Sequence, residues 1–148
     1  MEIDAIDKKI LNTIVHNSRL SFREIAKKVG VSVVTVLKRV KNLEKNKILL
    51  GYSSLLNYDV LGYDMPVMVR VSIDKDKLFE VQRKIASHPN VSATYDITGD
   101  FDALVLAKFK NRRSLDTFIK KIQGLPYVQR TETNLILNTL KETNIEVD

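Results

Sequence analysis

Cysteine and tryptophan are absent from this chain, and no apolar run approaches the length of a membrane span. Without cysteine, disulfides, thiolate metal sites and thiol catalysis are excluded. A bilayer-spanning helix needs about 20 consecutive apolar residues, which the sequence never offers. The first residues, MEIDAIDKK, are acidic and unlike a secretory signal peptide. We therefore expect a cytoplasmic protein, and its 148 residues are enough to bury a core.

The excess positive charge is confined to the first third of the chain. Residues 1–50 hold eleven basic and five acidic side chains, an excess of six that equals the net charge of +6, and the remainder holds thirteen of each sign. A localised basic patch provides sequence-independent attraction to a phosphate backbone. A basic membrane-surface helix is the alternative, but no helix here pairs a basic face with Trp or Phe. We therefore expect double-stranded DNA, and no membrane, as a partner.

Residues 21–45, SFREIAKKVGVSVVTVLKRVKNLEK, predict two helices joined by a tight turn. Ser21 and Glu24 have capping-box spacing at the start of the first helix. Gly30 suits a sharp corner that needs a positive φ, and Ser32 is a natural N-cap for the second helix. With the amphipathic segment that precedes them, these helices predict a helix-turn-helix unit. An ordinary helical hairpin with a solvated basic face is the alternative.

The free face of the second helix and the basic side chains of the first are the candidates for DNA contact. Asn can bond adenine, Lys can donate to guanine, and Val can meet a thymine methyl, whereas basic residues on the preceding helix suit phosphates. The candidate DNA-binding residues are Ser32, Val34, Thr35, Lys38, Arg39, Lys41, Asn42, Arg23, Lys27 and Lys28. Arg39 lies at the edge of this face, where a phosphate contact or a salt bridge to the first helix is as plausible as base readout.

The pattern changes after the basic region. Residues 48–55 predict a strand, either the wing of a winged helix or a lead into the next domain. From Met65 alternating and helical segments follow in the order βαββαβ, which predicts two helices covering one face of an antiparallel sheet. The predicted fold is α+β: a winged helix-turn-helix domain at 1–50, a hinge strand and linker at 51–63, and a ferredoxin-like βαββαβ domain at 64–148.

The third strand of the predicted sheet, residues 103–109, is apolar on both sides. Leu104 and Leu106 alternate with Ala103 and Val105, whereas a half-buried strand alternates apolar and polar residues. The face that the helices leave uncovered is therefore expected to pack against a second copy of the chain. A homodimer also suits a helix-turn-helix, which usually reads two half-sites.

Stretches along nearly the whole chain resemble the leucine-responsive regulatory protein and asparagine-operon regulator (Lrp/AsnC) family of bacteria and archaea. The matching stretches are DAIDKKIL at 4–11, SFREIAKKVGVS at 21–32, TVLKRVKNLE at 35–44 with IL at 48–49, LGY at 61–63 and TGDFD at 98–102. The resemblance implies a DNA-binding transcriptional regulator with a winged helix-turn-helix, a hinge strand and a C-terminal effector domain. It also implies dimers that often assemble into tetramers or octamers.

The same resemblance implies a small amino acid as effector, bound between dimers beside the TGDFD loop. In such a loop, backbone N–H groups take a carboxylate and an aspartate takes an ammonium group. The implied effector-binding residues are Thr98, Gly99, Asp100, Phe101 and Asp102, with Thr131 and Thr133 of the last strand contributed by a neighbouring chain. The aspartates at 96, 100 and 102 match no calcium-loop spacing, so we expect no metal and no cofactor.

Two departures from the family pattern bear on these expectations. Asn46 and Lys47 stand where relatives usually have a glycine that ends the recognition helix, and Asn can adopt the left-handed conformation in its place. Val34 and Leu37 are apolar where relatives often carry polar residues. The target DNA sequence therefore cannot be borrowed from a relative.

Two other functions compete with that of an effector-responsive regulator. Some proteins of similar fold are decarboxylases of haem biosynthesis, which depend on histidines in the effector-like domain. His88 is the only histidine after residue 50, and no acid–base pair or activated nucleophile stands out, so we expect no enzyme. A nucleoid-packing protein without an effector is the other alternative, and it would bind DNA with little sequence preference.

Overall fold

The computed structural model of the protein describes residues 2–148, which divide into two compact units. The first unit contains the chain up to Leu55 and also its last segment, Lys141–Asp148, while the second unit is Leu56–Leu140. The expected division, with 64–148 as one domain, stays a prediction, although the last eight residues group with the first unit by compactness. They belong to the first unit because the side chain of Val147 packs against the apolar core there.

Three helices form the first unit: α1 (Ala5–His16), α2 (Phe22–Val29) and α3 (Val33–Lys45). Each begins at a side-chain cap that the sequence encodes locally. Asp4 and Ser21 form capping boxes with the residues three positions later, and the Ser32 hydroxyl accepts from the Thr35 N–H. Gly30 follows α2 at φ +80°, and its N–H donates to Ala26 O at 2.9 Å. The predicted helix-turn-helix is confirmed.

The core of this unit collects one apolar stripe from each helix. Burying these stripes against each other leaves the opposite side of α3 facing solvent. The fully or nearly fully buried residues are Ile10, Leu11, Ile14, Ile25, Ala26, Val36, Val40 and Leu43.

The strand predicted at residues 48–55, and the wing that it suggested, are not formed. Between Lys45 and Met65 the described chain contains no strand. The N–H groups of Ile48 and Leu49 both donate to Leu43 O, at 2.9 and 3.2 Å, which closes the end of α3. A strand needs a neighbouring backbone to pair with, and the single sheet of the described chain is in the other unit. The left-handed residue at this helix end is Lys47, with φ +56°, whereas Asn46 has φ −84°.

The second unit has the predicted βαββαβ order. Its elements are β1 (Met65–Ile73), a short 3₁₀ turn, α4 (Leu78–Ala86), β2 (Val91–Asp96), β3 (Ala103–Phe109), α5 (Arg112–Gln123) and β4 (Val128–Leu135). The strands form one antiparallel sheet in the order β2-β3-β1-β4. No helix within residues 2–148 is both long and apolar enough to cross a bilayer.

Both faces of the sheet carry apolar side chains. On the side covered by α4 and α5, alternate residues of β1 and β3 are buried with Phe118 and Ile122. On the uncovered side, Met68 pairs with Leu106 and Arg70 pairs with Leu104, and these side chains are only half-buried. β3 is therefore apolar on both sides, as predicted.

Candidate functional site

The outer side of α3 forms an exposed face of mixed character. Val34 is 75 % exposed, and Lys38, Lys41 and Asn42 are exposed on the same side. Asn46 Nδ2 donates to the backbone oxygen of Asn42 at 2.7 Å and to Asn42 Oδ1 at 3.2 Å. Four predicted contact residues thus share one surface. We name this set, Val34, Lys38, Lys41 and Asn42, the recognition face.

Ser32 and Thr35 lie at the start of α3 and serve its cap. Ser32 Oγ accepts from the Thr35 N–H at 3.0 Å, and the two hydroxyls are 2.8 Å apart. Each hydroxyl thus already has an intrachain partner. A contact from either side chain to DNA competes with the cap that starts the helix.

Arg39 borders the recognition face, in the same groove as Val34, Lys38 and Asn42, and pairs with the beginning of α1. Its Nη1 bonds the Asp4 carboxylate and lies 3.1 Å from Asp7 Oδ1. Hydrogen bonds to Asp4 and then to Asp7 raise the pKa of Arg39. The N–H of Asp7, and after it Arg39, lower the pKa of Asp4. Of the roles predicted for Arg39, the salt bridge to the first helix is the one that the structure forms.

A shallow groove of about 530 Å³ separates the N-terminal segment from α3. One wall is acidic and contains Glu2, Asp4 and Asp7. The other wall is formed by residues of α3, namely Val34, Thr35, Lys38, Arg39 and Asn42. Because carboxylates repel phosphates, the acidic wall disfavours a DNA backbone on this flank of the recognition face.

The basic residues of α2, the first helix of the helix-turn-helix, are exposed to solvent. Arg23 is in its first turn, and Lys27 and Lys28 are in its last turn. The Ser21 hydroxyl, then the Ser21 N–H, lower the pKa of Glu24, and the charge of Lys28 adds to this effect. Glu24 is thus held by its capping box, and the three cations extend into solvent as phosphate contacts require.

The TGDFD loop joins β2 to β3 and is anchored on β1 through Asp102. The Asp102 N–H donates to Val71 O at 3.0 Å, and its carboxylate accepts from the Ile73 N–H at 2.8 Å and from the Ser72 hydroxyl at 3.4 Å. The Ile97 N–H closes the loop on Asp102 O at 3.2 Å. The Asp102 carboxylate therefore holds the loop in place and is already engaged by the protein.

Phe101 is also a structural part of the loop. Its side chain is buried, and the guanidinium groups of Arg70 and Arg130 lie 5.0 and 4.4 Å from the ring centroid. Such cation–π contacts stabilise the ring position. Thr98, Gly99 and Asp100 are exposed. They are the residues of the loop that face solvent.

Thr131 and Thr133 do not join the loop within one chain. They pair across the sheet with Val71 and Val69, so they lie on the side of β4 that faces the helices. Gln123 of α5 donates its side-chain N–H to the Thr131 hydroxyl at 2.9 Å. Their contribution from a neighbouring chain stays a prediction.

Gln82 contacts both ends of the TGDFD loop region, and the sequence analysis did not identify it. It is buried on α4, and its Nε2 donates to Asp102 O at 3.2 Å and to Asp96 Oδ1 at 3.3 Å. Its position four residues after Leu78 and three before Ile85 places a polar side chain on the apolar stripe of a helix. That irregularity was a signal available in the sequence, since buried polar groups need hydrogen-bond partners.

Two protein-family models match successive parts of the chain. Residues 3–44 match the AsnC-type helix-turn-helix domain, and residues 66–145 match the Lrp/AsnC ligand binding domain. An HTH-type transcriptional regulator of Pyrococcus furiosus is 39% identical over 142 residues, which cover 96% of each chain.

Two solved structures of similar proteins extend over almost the whole chain. A transcriptional regulator of Neisseria meningitidis, in its L-Met complex, has a TM-score of 0.91 at 27% identity and covers 99% of this chain and 97% of that one. E. coli AsnC has a TM-score of 0.89 at 26% identity and covers 99% of this chain and 100% of its own. This chain belongs to the Lrp/AsnC family of HTH-type transcriptional regulators.

Proposed function

We propose that the protein reads a specific DNA sequence through the recognition face and that a small amino acid at residues 98–100 modulates this binding. The observation that carries the first part is the shared exposure of Val34, Lys38, Lys41 and Asn42. An amide, two ammonium groups and an apolar tip together match the donor, acceptor and methyl pattern of the major groove.

The roles within this interface follow from side-chain chemistry. Asn42 is suited to adenine, Lys38 to guanine and Val34 to a thymine methyl. The cations Arg23, Lys27 and Lys28 on α2 are suited to phosphates and carry no sequence information. Arg39 supports the interface by fixing α3 against α1 and makes no base contact in this proposal.

The test begins with selection of preferred duplexes from a random pool, because the target sequence is unknown. Lys38→Ala and Asn42→Ala should each weaken binding to the selected duplex by about 1–3 kcal/mol and scarcely affect unrelated DNA. Lys27→Ala is the matched control, which should weaken both equally and reduce the salt slope by roughly one unit. Unchanged affinity in both recognition-face variants would refute the assignment.

The same selection distinguishes the runner-up function. A nucleoid-packing protein binds all duplexes with similar affinity, so its ratio of specific to nonspecific affinity is near one. A pool that yields no preferred sequence would therefore favour packing over regulation of particular promoters.

We also propose that the regulator acts as a homodimer that assembles further into tetramers or octamers. Support comes from the half-buried apolar residues Met68, Leu104 and Leu106 on the uncovered sheet face. A second sheet placed on this face removes that surface from water.

The proposed effector site uses the exposed part of the loop. The backbone N–H groups of residues 98–100 can bind a carboxylate, and the exposed Asp100 carboxylate can bind an ammonium group, whereas Asp102 is occupied. The L-Met complex of the similar Neisseria regulator supports an amino acid as ligand. By linkage, the effector changes DNA affinity only through its difference in affinity between two states, typically about 1–3 kcal/mol.

Calorimetry against the common amino acids tests this site. Asp100→Ala should abolish the heat of binding and the effector response while leaving DNA affinity without effector unchanged. Asp116→Ala on α5, also exposed, is the matched control and should retain the response. Absence of heat for every amino acid would show that the protein has no such effector.

A further inference from the structure

The side-chain amide of Gln82 joins the two strand ends that border the TGDFD loop. Its Nε2 donates to Asp96 Oδ1 at 3.3 Å, at the end of β2, and to the backbone oxygen of Asp102 at 3.2 Å, just before β3. An amide nitrogen carries two hydrogens, so it can donate to both acceptors at once. Because one acceptor is a carboxylate, that bond is charge-assisted. One side chain therefore closes the loop at its base.

The helix α4 holds this amide in place. Val81 and Ile85, on either side of Gln82 along the helix, are buried in the core of the second unit. Gln82 itself is 8 % exposed, and at such a position an amide without hydrogen-bond partners would be destabilising. The two bonds to the loop thus satisfy a buried polar group and connect the base of the loop to the core.

Asp102 gives the loop a second attachment, to β1. Its carboxylate accepts from the Ile73 N–H at 2.8 Å, and its own N–H donates to Val71 O at 3.0 Å. The backbone oxygen that Gln82 contacts also accepts from the Ile97 N–H at 3.2 Å. The loop is therefore held from two sides, by α4 through Gln82 and by β1 through Asp102.

The exposed residues 98–100 lie between these held ends. A loop with fixed ends loses less conformational freedom when it binds a ligand, and such preorganisation raises affinity. We infer that Gln82 is a positioning residue that holds residues 97–102 in the conformation that binds the amino-acid effector. Its role in binding rests on the proposed effector site, whereas the order of the loop is a property of the protein without ligand.

Amide hydrogen exchange of the full-length protein without ligand, followed by mass spectrometry, tests the order of the loop. Gln82→Leu removes both hydrogen bonds at similar side-chain volume and should accelerate exchange in peptides covering residues 97–102 roughly tenfold. Peptides from the middle of β1 should exchange as before. Arg83→Leu, at the next and exposed position of α4, is the matched control and should leave the loop unchanged.

Calorimetry with each of the common L-amino acids tests the role in binding. For an amino acid that the unsubstituted protein binds, Gln82→Leu should raise the dissociation constant roughly tenfold. Gln82→Glu places an ionised carboxylate against two oxygen acceptors at neutral pH and should also weaken binding.

The pH profile of Gln82→Glu separates the loss of a donor from a general disturbance of α4. Burial and the two facing oxygens should raise the pKa of the introduced carboxyl above its ordinary value of about 4.3. Its protonated form supplies an O–H donor, so affinity relative to the unsubstituted protein should recover between about pH 7 and about pH 5. Gln82→Leu should show no such recovery.

Unchanged loop exchange in Gln82→Leu, or a dissociation constant equal to that of the unsubstituted protein, overturns the inference. If the unsubstituted protein binds no amino acid, the proposed effector is refuted, and the exchange measurement still decides whether Gln82 orders the loop. Circular dichroism establishes that each variant keeps its helices. Gln82→Met, which has an unbranched side chain of similar length, replaces Gln82→Leu if that variant does not fold.

Discussion

Lys38 and Arg39 are adjacent cations on α3 with different surroundings. Lys38 is exposed on the recognition face, whereas Arg39 compensates the carboxylate of Asp7, which is 2 % exposed. A buried carboxylate without a counter-ion is strongly destabilising, because its hydration is lost and nothing replaces it. Arg39 therefore contributes to the stability of the helix-turn-helix, whereas Lys38 has no such structural role in its exposed position and is proposed to contact DNA.

Alanine substitutions at these two positions should differ in their effect on the free energy of unfolding. Arg39→Ala leaves Asp7 uncompensated and should lower the free energy of unfolding of the first unit by about 2–3 kcal/mol, less than the roughly 3–5 kcal/mol for a fully buried pair because Arg39 is partly exposed. Lys38→Ala should change it by less than about 0.5 kcal/mol. Urea denaturation followed by circular dichroism measures both, and equal stability of the two variants would contradict the assigned role of Arg39.

At the scale of elements, the residues that follow α2 and α3 include two with a left-handed backbone conformation. Gly30 has φ +80° and Lys47 has φ +56°. Glycine adopts this conformation without strain, whereas a residue with a Cβ adopts it at a cost of about 1 kcal/mol. The corner of the motif is thus relaxed, and the end of the recognition helix is strained.

Exchanging residue types at these positions should move stability in opposite directions. Gly30→Ala should destabilise the first unit by about 1 kcal/mol through backbone strain alone, because no atom lies within 4 Å of the added Cβ. Lys47→Gly should stabilise it by about 0.5–1 kcal/mol. Thermal unfolding of both variants checks the pair, and a stabilising Gly30→Ala would contradict the strain argument.

At the scale of the whole molecule, the proposed dimer rests on the uncovered face of the sheet. Met68, Leu104 and Leu106 present an apolar surface that a single chain leaves half-buried. Pairing two such faces would remove this apolar surface from water, which is favourable.

A charge introduced on this face should dissociate the dimer. Leu106→Lys places an ammonium group in the proposed interface and should cost about 3 kcal/mol, roughly a hundredfold in the dimer dissociation constant. Phe79→Lys is the matched control, because Phe79 is 63 % exposed on α4, away from this face. Sedimentation velocity at micromolar concentration measures both, and an intact dimer in Leu106→Lys would place the interface elsewhere.

Local features of the sequence determined most elements of both units and the recognition face. Ser21 and Glu24, three residues apart, specify the start of α2, and a repeat of three and four residues specifies which side of α3 is buried. Such features depend on atoms within about one helical turn, so they can be recognised from the sequence alone. The βαββαβ order followed from the same kind of periodicity.

Other features were decided only by the tertiary structure, since they depend on partners far away in sequence. Arg39 meets Asp4 across 35 positions, Asn12 meets Val147 across 135, and the Asp102 carboxylate turns inward to the Ile73 N–H. The apolar segment after α3 has a strand pattern, yet it pairs with no strand in residues 2–148, whose single sheet is formed by β1 to β4. Hydrogen bonds and ion pairs of this kind form only where folding brings two surfaces together, and a linear pattern does not specify which surfaces will meet.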